Sequence, residues 1–241
     1  MIVHNCAQHG EEWARLRIGI PTSSQFNKIV TTTGARSRQW RGYAYRLISE
    51  RIRNRALVTP KTRAMERGQL VEEEAVDWYE LDHDVSTYKV GFITDDDRTM
   101  GCSPDRLVGT DGLLEVKSPD TESGEQVEYL ITRRPHLKHK QQLQGQLLIT
   151  EPERDYVDIL CWDPDMPKCV MRVGRDEHFI TLLRAELREF NEFILTEMDN
   201  IVTTGYVHLP EAKTMLRRQL EVSLAADLTR GDRRMGRRGD R

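Results

Sequence analysis

The chain has little cysteine, and that scarcity removes several chemistries. Cys6, Cys102, Cys161 and Cys169 are its four thiols in 241 residues, widely scattered and with no C-x-x-C pair. A zinc ribbon needs such pairs, and a disulfide scaffold needs a denser set. Nothing in the spacing favours an iron–sulfur cluster. Four reduced, mostly buried thiols are the expectation. Long apolar runs are missing too: none approaches the ~20 residues of a membrane span. The start, "MIVHNCAQHGEEW", lacks the charged-then-apolar layout of a signal peptide, so a cytoplasmic protein without membrane contact is expected. No internal repeat is visible. Nor is there a surplus of one charge sign. A net charge of −3, with 31% charged and 38% hydrophobic residues, suits a globular chain and not a disordered one.

The charges are unevenly placed. Arg36, Arg38, Arg41, Arg46, Arg51, Arg53, Arg55, Lys61, Arg63 and Arg67 face only Glu50 and Glu66 in the same stretch. Such a local excess marks a phosphate-facing surface, the alternative being a solvated helix face. The tail "TRGDRRMGRRGDR" is basic and interrupted by glycine, either a DNA contact or an inert end.

Periodicity predicts helices over 11–17, after Thr22-Ser23-Ser24, over 38–56, over 64–79, over 122–132, over 136–150 and from Asp176 to about Asn200. "VSTYKVGFI" reads as one strand. Short strands up to Ser103 and over 113–118 follow, and "RDYVDILCW" with "KCVMRVG" reads as a hairpin. This order predicts an α/β (α+β) layer structure, a mixed central sheet flanked by helices. Residues 1–205 form the expected domain. Residues 206–241 are a further helix after Pro210 and the basic tail.

The chemistry concentrates in "GCSPDRLVGTDGLLEVKSP", residues 101–119. A hairpin here brings Asp105 toward Glu115. Strand residues two apart share a face, so Glu115 and Lys117 project together while Val116 points into the core. Two carboxylates and the Val116 carbonyl suit a hard cation such as Mg²⁺. Lys117 beside them would hold a water and offset charge developing on a phosphate. An exposed hairpin with an ordinary ion pair is the competing reading. Glu72, flanked by Val71 and Ala75, is a candidate third carboxylate. Gln142 and Gln144 are amides near an apolar helix face, placed to steady bound water or DNA. Arg17 with Ser24 offers a small anion pocket.

Five blocks, "RLRIGIPTSSQF", "RGQLVEEEA", "GCSPDRL", "LLEVKSP" and "QLQGQLLIT", in this order and spacing, resemble the lambda-exonuclease-like, YqaJ-type viral recombinase nucleases of the PD-(D/E)xK superfamily. The resemblance covers about residues 11–200. It implies a restriction-endonuclease-like core and an exonuclease that degrades one strand of double-stranded DNA ends from the 5′ side to mononucleotides. Two Mg²⁺ ions per site, with Mn²⁺ as substitute, would be held by Asp105, Glu115 and the Val116 carbonyl, with Glu72 supporting and Lys117 assisting the water. Gln144 matches a glutamine near that site. Arg17, Ser24 and Ser103 match a 5′-phosphate grip, and Met65 an apolar wedge. Arg36 lies one residue off a DNA-contacting arginine, and Gln142 is a further DNA contact. A ring-shaped homotrimer, a single-strand annealing protein as partner, and action in a bacterial host's cytoplasm are implied as well. Another nuclease of the superfamily, or an inactive DNA-binding module, is the alternative.

Overall fold

The computed structural model describes residues 1–57 and 63–204; the helix expected after Pro210, the basic tail and the domain boundary lie outside the described residues. Six α-helices are found among the described residues: α1 (Glu11–Leu16), α2 (Trp40–Arg53), α3 (Arg63–His83), α4 (Glu125–Thr132), α5 (Lys140–Ile149) and α6 (Glu177–Thr203). The strands are β1 (Ile2–His4), β2 (Thr87–Tyr88), β3 (Phe92–Thr94), β4 (Gly101–Cys102), β5 (Arg106–Val108), β6 (Gly112–Lys117), β7 (Tyr156–Cys161) and β8 (Cys169–Gly174). The helix expected after Thr22 is a 3-10 turn, Ser23–Lys28.

These strands form two sheets. The larger runs β2-β5-β6-β7-β8, antiparallel except for the parallel β6–β7 pair. The smaller, β1-β3-β4, is antiparallel. The single strand expected over "VSTYKVGFI" is therefore two strands in different sheets. Gly91 lies at the break, and a side chain would not fit there: an added Cβ would meet the Cys6 carbonyl oxygen at 2.2 Å. The link from β4 back to β5 returns through Ser103–Asp105. Gln8 ties both links together: its Nε2 donates to the Val90 carbonyl at 2.9 Å and to the Pro104 carbonyl at 3.0 Å.

Strand alternation sorts the core into two layers. Leu113, Val157, Ile159 and Cys161 face α2, α5 and α6, packing with Leu147, Leu183 and Phe190. Leu114, Leu160 and Trp162 face α3, packing with Ala75, Val76 and Tyr79. The site-bearing β5–β6 hairpin turns at Gly109, whose φ is +49°, a backbone conformation that glycine tolerates best. Arg154, 8% exposed, locks that turn. Its Nη1 donates to the carbonyls of Val108 at 3.3 Å, Gly109 at 2.9 Å and Gly112 at 3.2 Å.

Arg154→Leu removes a donor from two buried carbonyls and one exposed one and is expected to lower stability by about 2 kcal/mol. Urea unfolding measures it. An unchanged midpoint would mean that the turn holds without the guanidinium.

Candidate active site

β5 begins at Arg106, paired with Leu114, so nothing in β5 pairs with the last residues of β6. Asp105 lies one residue before, across from Glu115. Its side chain replaces the absent strand partner: the Val116 amide donates to Asp105 Oδ2 at 2.6 Å. A strand residue's N–H and C=O point to the same neighbour, so the Val116 carbonyl faces this open side too. The Val116 side chain packs on the α3 layer, as the alternation predicts.

Glu115 and Lys117 share the opposite face with Leu113 and meet α5. Glu115 is 4% exposed. Lys117 Nζ donates to its Oε1 at 2.6 Å, Gln142 Nε2 to the same oxygen at 2.5 Å, and Gln146 Nε2 to Oε2 at 2.6 Å. Lys117 Nζ also reaches Gln142 Oε1 at 3.3 Å. Burial acts against the Lys117 ammonium, but Glu115 and Asp105 outweigh it and hold its pKa above the ordinary value. The two carboxylates thus favour the ammonium form of Lys117. Burial, then the nearby Glu115 and Glu72 carboxylates, push the Asp105 carboxyl well above the usual range. His139, at the head of α5, is held down to about 4 by burial, with Lys117 and Lys138 adding.

A second cluster lies on α1 and β4. The Arg17 guanidinium stacks over Trp13 at 3.9 Å, and burial lowers its pKa. Among the described residues Arg17 has no carboxylate in ion-pair contact. Trp13 Nε1 donates to Ser103 Oγ at 2.8 Å, and Ser103 donates to the Gly91 carbonyl at 2.9 Å. Thr22, bridged to Gly101, sets exposed Ser24 beside it, the two hydroxyls 3.5 Å apart. Glu50 accepts from the Gly19 amide at 3.1 Å and Arg51 donates to the Gly19 carbonyl at 2.9 Å, fixing the loop after Arg17. The buried Cys102 thiol links the two clusters. Burial pushes its pKa up, Glu115 adds to that, and Arg17 opposes it.

The family model of the YqaJ-like viral recombinase domain matches residues 12–153, more than half of the chain. The chain belongs to this family. An alkaline exonuclease (LHK-Exo) from Laribacter hongkongensis matches with a TM-score of 0.73 and 26% identity, over 82% of this chain and 98% of that one. LHK-Exo in complex with dAMP matches with a TM-score of 0.71 and 28% identity over the same shares. A phage-related exonuclease from Haemophilus somnus 129PT, at 11% identity and a TM-score of 0.55, covers 74% of this chain and 96% of its own and shares the fold. No curated protein matches the chain. Family and structural neighbours indicate an alkaline-exonuclease-like nuclease on the expected mixed-sheet fold.

Not every candidate residue converges. The family glutamine expected at Gln144 faces away: its Nε2 donates to the Gly174 carbonyl at 2.9 Å, and its Oε1 accepts from the Asp176 amide at 2.8 Å. Helix geometry is the reason. Gln142 and Gln146, four apart, share the face toward Glu115, while Gln144 is turned away by two residues. Gln146, which the sequence reading does not single out, joins the site at helical spacing from Gln142. Arg36 is held by Glu186 at 2.8 Å and by Glu189 of α6, and stacks on Trp40, so its charge is spent within the fold. Glu72 is not a free third carboxylate. Buried Arg106 donates to Glu72 at 2.7 Å, to Glu73 at 2.6 Å and to the Asp105 carbonyl at 2.6 Å. Glu72 therefore reaches Asp105 through Arg106. The side chain of Met65 lies outside the described residues.

The remaining donors fit a hard divalent cation. Among the described residues no group of three or more His, Cys, Asp or Glu side chains is arranged to hold a metal ion. Mg²⁺ does not require one, since it keeps several waters and takes one or two carboxylates plus phosphate oxygens. Asp105, Glu115 and the Val116 carbonyl are such an all-oxygen set. Gln146 Oε1 is buried with no hydrogen-bond partner among the described residues, an acceptor available to a bound water.

Gln146→Leu is expected to lower nuclease turnover about 10–100-fold, the usual cost of losing an outer-shell partner, with little change in thermal midpoint. Gln144→Leu should instead lower the midpoint. Equal turnover losses at unchanged midpoints in both variants would return Gln144 to the site.

Proposed function

We propose that the chain is a Mg²⁺-dependent exonuclease on double-stranded DNA ends, with Mn²⁺ as substitute. It hydrolyses one strand from the 5′ side to mononucleotides and leaves a 3′ single strand for recombination by strand annealing. One observation carries the reading. Asp105, Glu115 and cationic Lys117 meet at the free end of β6, where Val116 offers its carbonyl and a buried amide shell holds Glu115.

Asp105, Glu115 and the Val116 carbonyl would hold the cation. When bound, such an ion supplies a nucleophilic water at neutral pH and offsets charge on the phosphate. The protein's own residues do the rest. The Val116 amide fixes the Asp105 rotamer. Gln142 and Gln146 keep both Glu115 oxygens aimed at the open side. Lys117, protonated, orients an attacking water and stabilises negative charge at a phosphate oxygen. Glu72, through Arg106, steadies the Asp105 backbone.

The Arg17 cluster supports a preference for phosphorylated 5′ ends. A half-buried guanidinium stacked on Trp13, whose indole in turn donates to Ser103 Oγ, is a geometry suited to phosphate oxygens. LHK-Exo was solved with dAMP, a nucleoside monophosphate of the product class expected here. A homotrimeric ring, a single-strand annealing protein as partner and action in a bacterial host's cytoplasm belong to the same proposal, which rests on membership of a viral recombinase family. No helix among the described residues is long and apolar enough to cross a membrane.

Lys117→Ala should bind DNA nearly as well as the parent and lose at least about 10²-fold in turnover, the scale of a lost transition-state donor. End-labelled linear duplex and covalently closed circles, with Mg²⁺ or EDTA, provide the assay. Retained hydrolysis in Lys117→Ala, or cutting of the circle, would refute the assignment. Arg17→Ala should reduce the rate ratio of 5′-phosphate over 5′-hydroxyl ends about tenfold or more, the scale of one charge-assisted hydrogen bond. An unchanged ratio would remove Arg17 from end recognition.

A further inference from the structure

Outside both clusters, the surface made by α4 and the turn after it has unusual chemistry. Val127 and Ile131, one helical turn apart, are 44% and 76% exposed, and Leu137 is 66% exposed. Single exposed aliphatics are ordinary, but three on so short a segment form an apolar patch that calls for an occupant. The charges around them are divided: Asp120, Glu122, Glu125 and Glu128 lie before or on α4, and the bases lie after it. From Tyr129 to Thr150 the sequence has no Asp or Glu, but has Arg133, Arg134, Lys138 and Lys140. Lys138 pairs with Glu125, and Lys140 with Asp176. Arg133 and Arg134 are exposed, and among the described residues neither pairs with a carboxylate. Glu128 is the exposed acid of α4 itself.

This surface adjoins the acidic cluster. Gln126 of α4 donates to the Cys161 carbonyl at 3.1 Å, and Cys161 is the β7 residue paired with Lys117. Glu125 accepts from Lys138 at 2.6 Å, which draws the turn carrying Leu137 back onto α4. The patch is thus the shoulder of the site, at the end of β6.

A ligand for it must offer apolar faces and negative charge together. A duplex shows its charge and hides its base faces. An unpaired strand shows both. We propose that α4 and the 133–140 segment hold the unpaired strand that hydrolysis of its complement exposes. Its bases pack on Val127, Ile131 and Leu137, and its phosphates meet Arg133 and Arg134. The proposal rests on the nuclease reading above and adds a product-strand track distinct from the Arg17 cluster.

The test uses the full chain in EDTA and fluorescence anisotropy on two probes, a blunt duplex and the same duplex with a single-stranded 3′ extension. The parent should bind the extended probe more tightly. Ile131→Ser/Leu137→Ser should weaken the extended probe about tenfold, the scale of one lost base contact, and change the blunt probe less than about twofold. Arg133→Gln/Arg134→Gln should flatten the salt dependence on the extended probe by about one or two phosphates' worth. Equal losses on both probes, no loss on either, or an altered sedimentation coefficient for Ile131→Ser/Leu137→Ser would overturn the proposal, the last by assigning the patch to a contact between copies. Hydrolysis of blunt duplex by the parent with Mg²⁺ separates the two readings. Hydrolysis without any extension effect sinks the strand track alone. An extension effect without hydrolysis sinks the nuclease reading alone.

Discussion

Two carboxylates crowd one ammonium at the end of a strand, and the surrounding structure answers that crowding. Asp105 and Glu115 repel each other in a setting where burial already penalises charge. Left bare, such a pair would be costly. The fold responds with directed donors: Lys117, two glutamine amides and a strand amide that has no strand partner. Glu115 Oε1 takes two of these donors, while Glu115 Oε2 and Asp105 Oδ2 take one each, so acceptor capacity remains on both carboxylates. The acids are thereby held in place and still short of positive charge, a condition that suits a divalent cation.

The scaffold supplies that rigidity from both faces of the sheet. On the α5 face both glutamines stand on one helix and their amides are held by hydrogen bonds to Glu115. On the α3 face Arg106 is clamped between Glu72 and Glu73 and fastens the Asp105 carbonyl. Arg154 closes the hairpin at its far end. A buried guanidinium with several carbonyl or carboxylate acceptors holds a backbone in a way that packing alone does not, because its fork fixes direction as well as distance.

Much of this was legible in the sequence because period carries direction. Alternation placed Glu115 and Lys117 on one face and Val116 on the other. The "RDYVDILCW" and "KCVMRVG" segments pair as the hairpin they suggested. Legibility failed where direction depends on a distant partner. Gln144 sits between two glutamines that serve Glu115, yet its own neighbours are Gly174 and Asp176, remote in sequence. Arg36 looked like part of a basic surface, but α6 brings two glutamates to it. Glu72 lies near the acids, while its tie to Arg106 could not be seen without the fold. The split of "VSTYKVGFI" between two sheets falls at a glycine packed against Cys6, eighty-five positions earlier.

That split has a mechanical consequence. Ser103 follows the small sheet and the acids lie on the large one, yet both sheets share one core, in which Ile93 and Cys102 pack in the same cluster as Leu113 and Val157. The side chain of Gln8 adds a polar tie, bonding to both backbone links in this region at Val90 and Pro104. Residue 8 is therefore a strut across the two links, one of which carries Ser103 and Asp105 on either side of Pro104, and a shortened side chain there would loosen both at once.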